Sequence, residues 1–253
     1  MNTPDGLLAG IVSEPLEETR WLVLADWLEE NDDPRRGELL RLHRRLLATC
    51  CEPEQHPERA QWQSRVVELI GEGVRPCVPR KTLLLPGDVP MTFSFIPPGK
   101  FRMGSALMDA HESEKPEAEW EYACRAGTST EYHFGDVINS DLANYNGNFS
   151  WNGSPEGEYR KQTTEVGAFP SNAWGLFDIH GNVVECCVDW YSPYSAEDQT
   201  DPCQLNIQSD EYRVLRGGGW RSGPGGCRAA YRYWSTPASR RNTCGFRVCF
   251  RLD

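Results

Sequence analysis

Apolar residues Trp21, Leu24, Ala25 and Leu28 recur at three- and four-residue spacing, which places them on one face of a helix. Asp33-Pro34 suits the start of the next helix: Asp caps free amides, and Pro sits where its missing N–H costs nothing. Leu39, Leu42 and Leu46 continue the apolar stripe. The pattern from Asp5 to about Gly73 therefore predicts short helices that must bury one side. Pro76, Pro79, Pro86 and Pro90 then argue for an extended linker, with a boundary near Arg80. Residues 93–105 alternate apolar and polar positions around Pro98-Gly99, a hairpin signal. Residues 117–127 read as a short helix ended by Gly127, and the segment around Gly245-Phe246-Arg247-Val248 reads as a closing core strand. The expected organisation is a helical domain over 1–75, a Pro-rich linker over 76–92, and a mixed domain over 93–253.

Composition narrows the function classes. With 39% hydrophobic and 25% charged residues the chain has the make-up of an ordinary globular protein. Most of its nine Trp lie beyond Asn148, so the later part carries the aromatic core. A net charge of −11 disfavours nucleic acid, which is bound by clustered Lys and Arg, and favours a cationic ligand. No apolar stretch approaches the roughly 18–20 residues of a membrane span, and Met1–Gly6 lacks a signal-peptide pattern. The expectation is a cytoplasmic protein without a membrane partner.

Ten cysteines, at 50, 51, 77, 124, 186, 187, 203, 227, 244 and 249, accompany no secretion signal, so they are expected to be reduced. There is no Cys-x-x-Cys and no His-x-x-x-His. The adjacent pairs Cys50-Cys51 and Cys186-Cys187 read as packing residues, because neighbours on a helix or strand point apart.

Two resemblances add to this reading. Leu7-Leu8-Ala9, Arg20 to Glu30 with its Leu-Ala-Asp-Trp-Leu-Glu core, and Gly37 to Leu42 together resemble the repeat-companion domain common in planctomycete proteins, over about 45 residues. Further on, Glu117 to Gly127, Gly175 to Glu185, Arg213 to Trp220, Cys227 to Arg232 and Gly245 to Val248 follow in an order and spacing similar to the formylglycine-generating enzyme, or sulfatase-modifying factor, family. That resemblance implies an α+β, C-type-lectin-like fold of twisted antiparallel strands, helices and long loops. It also implies a shortened domain, since an internal block normally present near 105–117 is missing. The loss would uncover apolar surface.

The family's copper-dependent oxidases hold soft Cu(I) with two thiolates five positions apart. Aligned on this chain, those positions fall at Pro224 and Ala229. Between Gly217 and Thr243 the only cysteine is Cys227, so one residual thiol stands where two are needed and copper is not expected. Cys244 and Cys249 are five apart but flank the closing strand. His43 and His56 do not reproduce the ligand pattern of the family's iron-dependent relatives.

The resemblance further implies structural calcium, a hard cation held by oxygen. One site would use the carbonyls of His180, Gly181 and Val183 with the Glu185 carboxylate; another would use Asn144, Tyr145 and Glu158. Loop hydrogen bonding without metal explains Asn182 and Glu185 equally well. His180 reads as a loop residue rather than an acid–base catalyst, as no carboxylate partner is visible. Arg216, Trp220, Arg228, Tyr231, Tyr233 and Trp234 either line a groove, since aromatics and Arg dominate binding hot spots, or form core and rim. Val184 and Cys186 stand where the family usually has Trp, which predicts an underfilled core. The leading expectation is a non-catalytic module for a protein or small-molecule ligand. The alternatives are a formylglycine-generating or related metal-dependent oxidase acting on protein cysteine, and an inactive truncated fragment.

Overall fold

The structure, a computed structural model, describes residues 3–101, 103, 116–191 and 212–250. These divide into two compact units. One holds residues up to Phe101 together with Ala126–Thr128 and Ser171–Leu176; the other holds the remainder.

Helices α1 (Pro4–Ser13), α2 (Glu18–Asn31), α3 (Pro34–Ala48) and α4 (Arg59–Gly71) build the first unit. Two of the starts have a clear physical cause. Thr3 Oγ1 accepts the Gly6 amide, and Asp33 Oδ1 accepts the Arg35 amide with Pro34 in the first turn, as its sequence predicts. Trp21, Leu24, Ala25 and Leu28 pack with Ile11 and Leu40 in one buried cluster. Leu39, Leu42 and Leu46 pack with Val66, Leu69 and Ile70 in a second. Charge stays outside, in exposed pairs such as Arg44 with Glu18 and Arg65 with Glu38.

Among the described residues of this unit, the charged side chain of Arg59 is buried. Arg59 donates from its guanidinium to the Leu46 carbonyl at 2.7 Å and to Gly127 O, so the end of α3 and residues 126–128 share one donor. His43 meets Ala126 O, with Trp174 edge-on to its ring at 5.6 Å. Segments 126–128 and 171–176, expected in the later domain, thus pack as part of the helical unit.

Residues 80–94 are paired as well as extended. Strands β1 (Arg80–Leu85) and β2 (Val89–Ser94) form an antiparallel hairpin, turning through Pro86–Asp88. Of the hairpin expected over 93–105, residues 95–101 carry no regular structure, and 102, 104 and 105 lie outside the described residues. Gly87 and Asp88 both adopt positive φ, the backbone that a tight hairpin turn requires, and this turn lies ahead of Pro98-Gly99.

The second unit is a helix on a small sheet with long loops. Helix α5 (Pro116–Arg125) precedes strands β3 (Val184–Trp190), β4 (Arg213–Arg216), β5 (Tyr233–Ser235) and β6 (Cys244–Gly245). The sheet order is β5-β4-β3-β6, antiparallel except for the short parallel β3–β6 pair. On β3 the faces are reversed from a simple apolar-inward pattern. Glu185, Cys187 and Asp189 are buried, while Cys186 and Val188 are exposed. The small residues at Val184 and Cys186 therefore open the outer face instead of hollowing the core. The closing strand is also shorter than expected: Phe246, Val248 and Phe250 are exposed.

Buried ion pairs replace part of the apolar core here. Glu121 on α5 pairs with Arg125 at 2.7 Å and with Arg216 on β4, all three side chains being almost fully buried. Trp120 Nε1 donates to Glu185 Oε2 at 2.7 Å, and Arg247 clasps the same carboxylate. Removing one member of such a set strands a charge away from water, so the set fixes α5 on the sheet.

Candidate functional site

The chain from Asn146 to Gly153 is a loop of turn residues interrupted by Phe149 and Trp151, both substantially exposed. Opposite it, Gly223 and a 3-10 turn over Pro224–Cys227 bring backbone close enough for aromatic rings to lie on it. A Cβ on Gly225 would meet the Trp151 indole at 2.8 Å, so only glycine fits beneath that ring. The two loops are tied by Asn146 N–H donating to Ser222 O at 2.8 Å, and Tyr132 Oη donates to Pro224 O at 2.8 Å.

Between them lies an open groove of about 370 Å³, walled by Phe149, Trp151, Arg228 and Tyr231 and floored by Gly223 to Gly226. Arg228 is buried, with its guanidinium 4.8 Å from the Trp151 ring centre and 5.9 Å from that of Tyr231. It donates to Glu131 at 3.0 Å and to Gly225 O at 2.8 Å, so its plane is fixed before any ligand arrives. Aromatic faces around a held guanidinium are the composition of a binding hot spot.

Cys227 adjoins this groove in sequence, but its side chain faces the core. Its side chain is fully buried among Tyr132, Phe134, Ile138 and Tyr145, and burial pushes its thiol up to about 12. Pro224 and Ala229, the positions aligned with the oxidase thiolates, are both buried and carry no ligand atom. Pro224 lies on the groove floor, and the groove's lining residues include no cysteine.

His180 is buried, and both its ring nitrogens are hydrogen-bonded. Its Nδ1–H donates to Cys227 O at 2.7 Å and its Nε2 accepts the His133 amide at 3.1 Å, which fixes the neutral tautomer. Burial lowers its pKa to about 4. His133 stacks on it at 5.0 Å with both ring nitrogens buried and unpartnered, and burial holds His133 well below the usual histidine range.

The residues expected to bind calcium are brought together differently from the expected two sites. Asn144 pairs with Gly181 as an isolated parallel bridge, and Asn182 N–H donates to Asn144 O at 2.8 Å. Gly181 has φ +89°, and a Cβ there would lie 2.4 Å from Asn144 O, so the two loops touch backbone to backbone. The Glu185 carboxylate is taken by Trp120 and by two bonds from Arg247, at 2.9 and 2.5 Å, so a cation at this position would have to displace a guanidinium. It does not fit there in this arrangement. At Asn144 the donor set fits better. The amide nitrogen is spent on Gln162 O at 2.8 Å and Asn182 Oδ1 at 3.1 Å, which leaves Oδ1 buried without a donor. Tyr145 is buried in the core beside it, and Glu158 extends an exposed carboxylate that pairs with Arg160 at 2.9 Å. Among the described residues no group of three or more His, Cys, Asp or Glu is placed to hold a metal ion by side chains alone.

Of the residues expected to line a groove, Arg228 and Tyr231 do so. Arg216 is buried on Glu121 and donates to Tyr231 O at 2.9 Å. Trp220 is buried and stacks near Tyr159 at 6.2 Å. Trp234 and Tyr233 stand on β5 in a separate exposed cluster with Tyr212, 4.3 Å from the Trp234 ring. Phe149, Trp151 and Glu131 were not anticipated; two aromatics inside an Asn/Gly/Ser-rich loop were the available signal.

With this geometry established, comparison with known proteins places the chain. Residues 110–252, more than half of it, match the family model described as a sulfatase-modifying factor enzyme 1-like domain. The chain belongs to this family. The sulfatase-modifying-factor unit is similar to the formylglycine-generating enzyme of Streptomyces coelicolor, 36% identical over 147 residues covering 54% of this chain and 46% of that enzyme. It is also similar to the serine/threonine-protein kinase pkn1 of Chlamydia caviae, 36% identical over 134 residues covering 52% of this chain and 20% of that protein. Among solved structures, Treponema denticola variable protein 1 aligns with a TM-score of 0.40 at 30% identity, over 57% of this chain and 45% of that one. The chain thus spans a fifth of the chlamydial kinase and under half of the formylglycine-generating enzyme. No helix among the described residues is long and apolar enough to cross a membrane.

Proposed function

We propose that the sulfatase-modifying-factor unit is a non-catalytic binding module whose ligand, a protein segment or small molecule, seats on the Phe149–Trp151–Arg228–Tyr231 groove. One observation carries this reading: where oxidase chemistry needs two accessible thiolates, the groove presents aromatic carbon and a guanidinium, while the nearby thiol of Cys227 is sealed in the core. A buried thiol held at about 12 is neither a nucleophile nor a metal ligand near neutral pH. The chain would work inside the cell, where its thiols stay reduced.

The test is oxygen uptake by the full chain with a Cys-x-Pro-x-Arg peptide and added copper. No uptake above a protein-free control is expected, and turnover would overturn the reading in favour of a cysteine oxidase. A native chain should also show a structured near-ultraviolet spectrum; a molten one would identify an inactive fragment.

We further propose that calcium binds at the Asn144 loop, where the donorless Asn144 Oδ1 supports a hard cation. Calcium should raise the melting temperature relative to chelator, and Asn144→Ala should abolish the difference. An unchanged melting temperature in the parent protein would remove the site.

A further inference from the structure

The turn that ends α3 brings two sulfurs together. Thr49 caps the helix, the Cys50 amide bonds back to Leu47 O, and residues 49–51 turn away from the helical path. Neighbouring side chains on a regular element diverge, but in this turn Cys50 Sγ and Cys51 Sγ stand 4.0 Å apart. The expectation that both adjacent pairs point apart holds for Cys186 and Cys187, on opposite faces of β3, and fails for Cys50 and Cys51.

The two members of the pair differ in surroundings. Cys51 is exposed and gains nothing by packing. Cys50 is buried and donates its S–H to the backbone carbonyl of Lys100, fastening the chain near Lys100 to the end of α3 within the same unit. Burial and the neighbouring thiol hold the Cys50 pKa up, so Cys51 is the group that meets solvent oxidants first.

We propose that Cys50 and Cys51 form a reversible two-electron oxidation site that hydrogen peroxide converts to a vicinal disulfide, releasing Lys100. The Cys51 thiolate attacks one peroxide oxygen and the O–O bond breaks. The departing hydroxide takes up the proton lost from Cys51, giving a sulfenic acid and one water. Cys50 sulfur then displaces hydroxide from Cys51 sulfur, forming the S–S bond, and the Cys50 proton leaves in a second water. Both electrons pass from sulfur to peroxide. Closure needs the sulfurs to approach from 4.0 Å to about 2.05 Å, within reach of side-chain rotation. Adjacent Cα atoms lie about 3.8 Å apart, below the roughly 4.4–6.8 Å of ordinary disulfides, so the closed bond is strained and easily reduced. Once closed, Cys50 has no S–H, and Lys100 O loses its donor.

The experiment treats the full chain with hydrogen peroxide, blocks remaining thiols and maps tryptic peptides. Peptide 46–59 contains Cys50 and Cys51 and no other cysteine. It should lose two hydrogens at peroxide levels that leave peptide 162–213, with Cys186, Cys187 and Cys203, still alkylated. Dithiothreitol should restore it. Cys50→Ser should stop at a dimedone-reactive sulfenic acid on Cys51. In the parent protein, oxidation should speed lysyl-endopeptidase cleavage after Lys100 severalfold. Two intact thiols in peptide 46–59 when the other cysteines have oxidised, or Cys50 joined to a distant cysteine, would overturn the site. Unchanged cleavage at Lys100 in the oxidised protein would overturn the release.

Discussion

The two units solve the same problem with opposite materials. The helical unit buries leucines and leaves its ion pairs in water, as Arg44 with Glu18 and Arg41 with Glu29 illustrate. The sulfatase-modifying-factor unit draws Glu121, Glu185 and Glu131 inward and closes arginines over each of them. Its regular elements are few, and its long loops are held by specific polar contacts. The lesson is that a loop-rich scaffold can be rigid when buried charges are fully matched, and rigidity of that kind is what a preformed groove requires.

Acid should separate the units most strongly. His180 and His133 are buried neutral in the second unit, whereas His43 is the buried histidine of the first. Their folded pKa values lie below the unfolded 6.5, so the unfolded chain takes the proton first. Their stabilisation is complete above about pH 6.5 and is lost as pH falls towards 4. His180 alone accounts for roughly 3 kcal/mol, and His133, also held down by burial, acts in the same direction. Amide exchange near 212–235 should therefore accelerate before that near 21–46 on acidification; the reverse order would refute the contrast.

Glu121→Gln comes next. It leaves two buried guanidiniums facing a neutral amide and should cost about 3–5 kcal/mol in urea unfolding, confined to the second unit. Leu46→Ala, at a fully buried position of the helical core, should cost about 3 kcal/mol and weaken the first unit instead. The smallest effect belongs to Glu18→Gln, which breaks an exposed pair and should change stability by less than about 1 kcal/mol. A larger loss there would mean that the helical unit also depends on its charges.

Legibility in the sequence followed the same division. Helical periodicity located the buried stripes Trp21 to Leu28 and Leu39 to Leu46, and Asp33-Pro34 located a helix start, because local rules and burial agree in those elements. The segment ended by Gly127 located α5, whereas the motif from Arg213 to Trp220 did not by itself announce the strand at its start. What escaped were contacts made by tertiary closure. Nothing local announces that Glu185 faces inward to meet Arg247, 62 positions away, or that Trp151 lies on Gly225. The underfilled core expected at Val184 and Cys186 is a case in point: on β3 the inward side is occupied by Glu185, Cys187 and Asp189, with Glu185 met by a distant arginine. The Cys50-Cys51 pair was misread because the turn after α3 replaces helical geometry at the position where divergence was assumed.

The short parallel pairing of β6 with β3 has a consequence for biosynthesis. Val184 aligns with Cys244, so the sheet cannot be completed until about sixty further residues have emerged from the ribosome. Closing so distant a contact is slow relative to pairing sequential helices. During translation α1 to α4 can collapse on one another while the sheet still waits for its last strand. Throughout that interval the acidic inner face of β3 lacks Arg247, and a chaperone holding the nascent chain would meet it in that incomplete state.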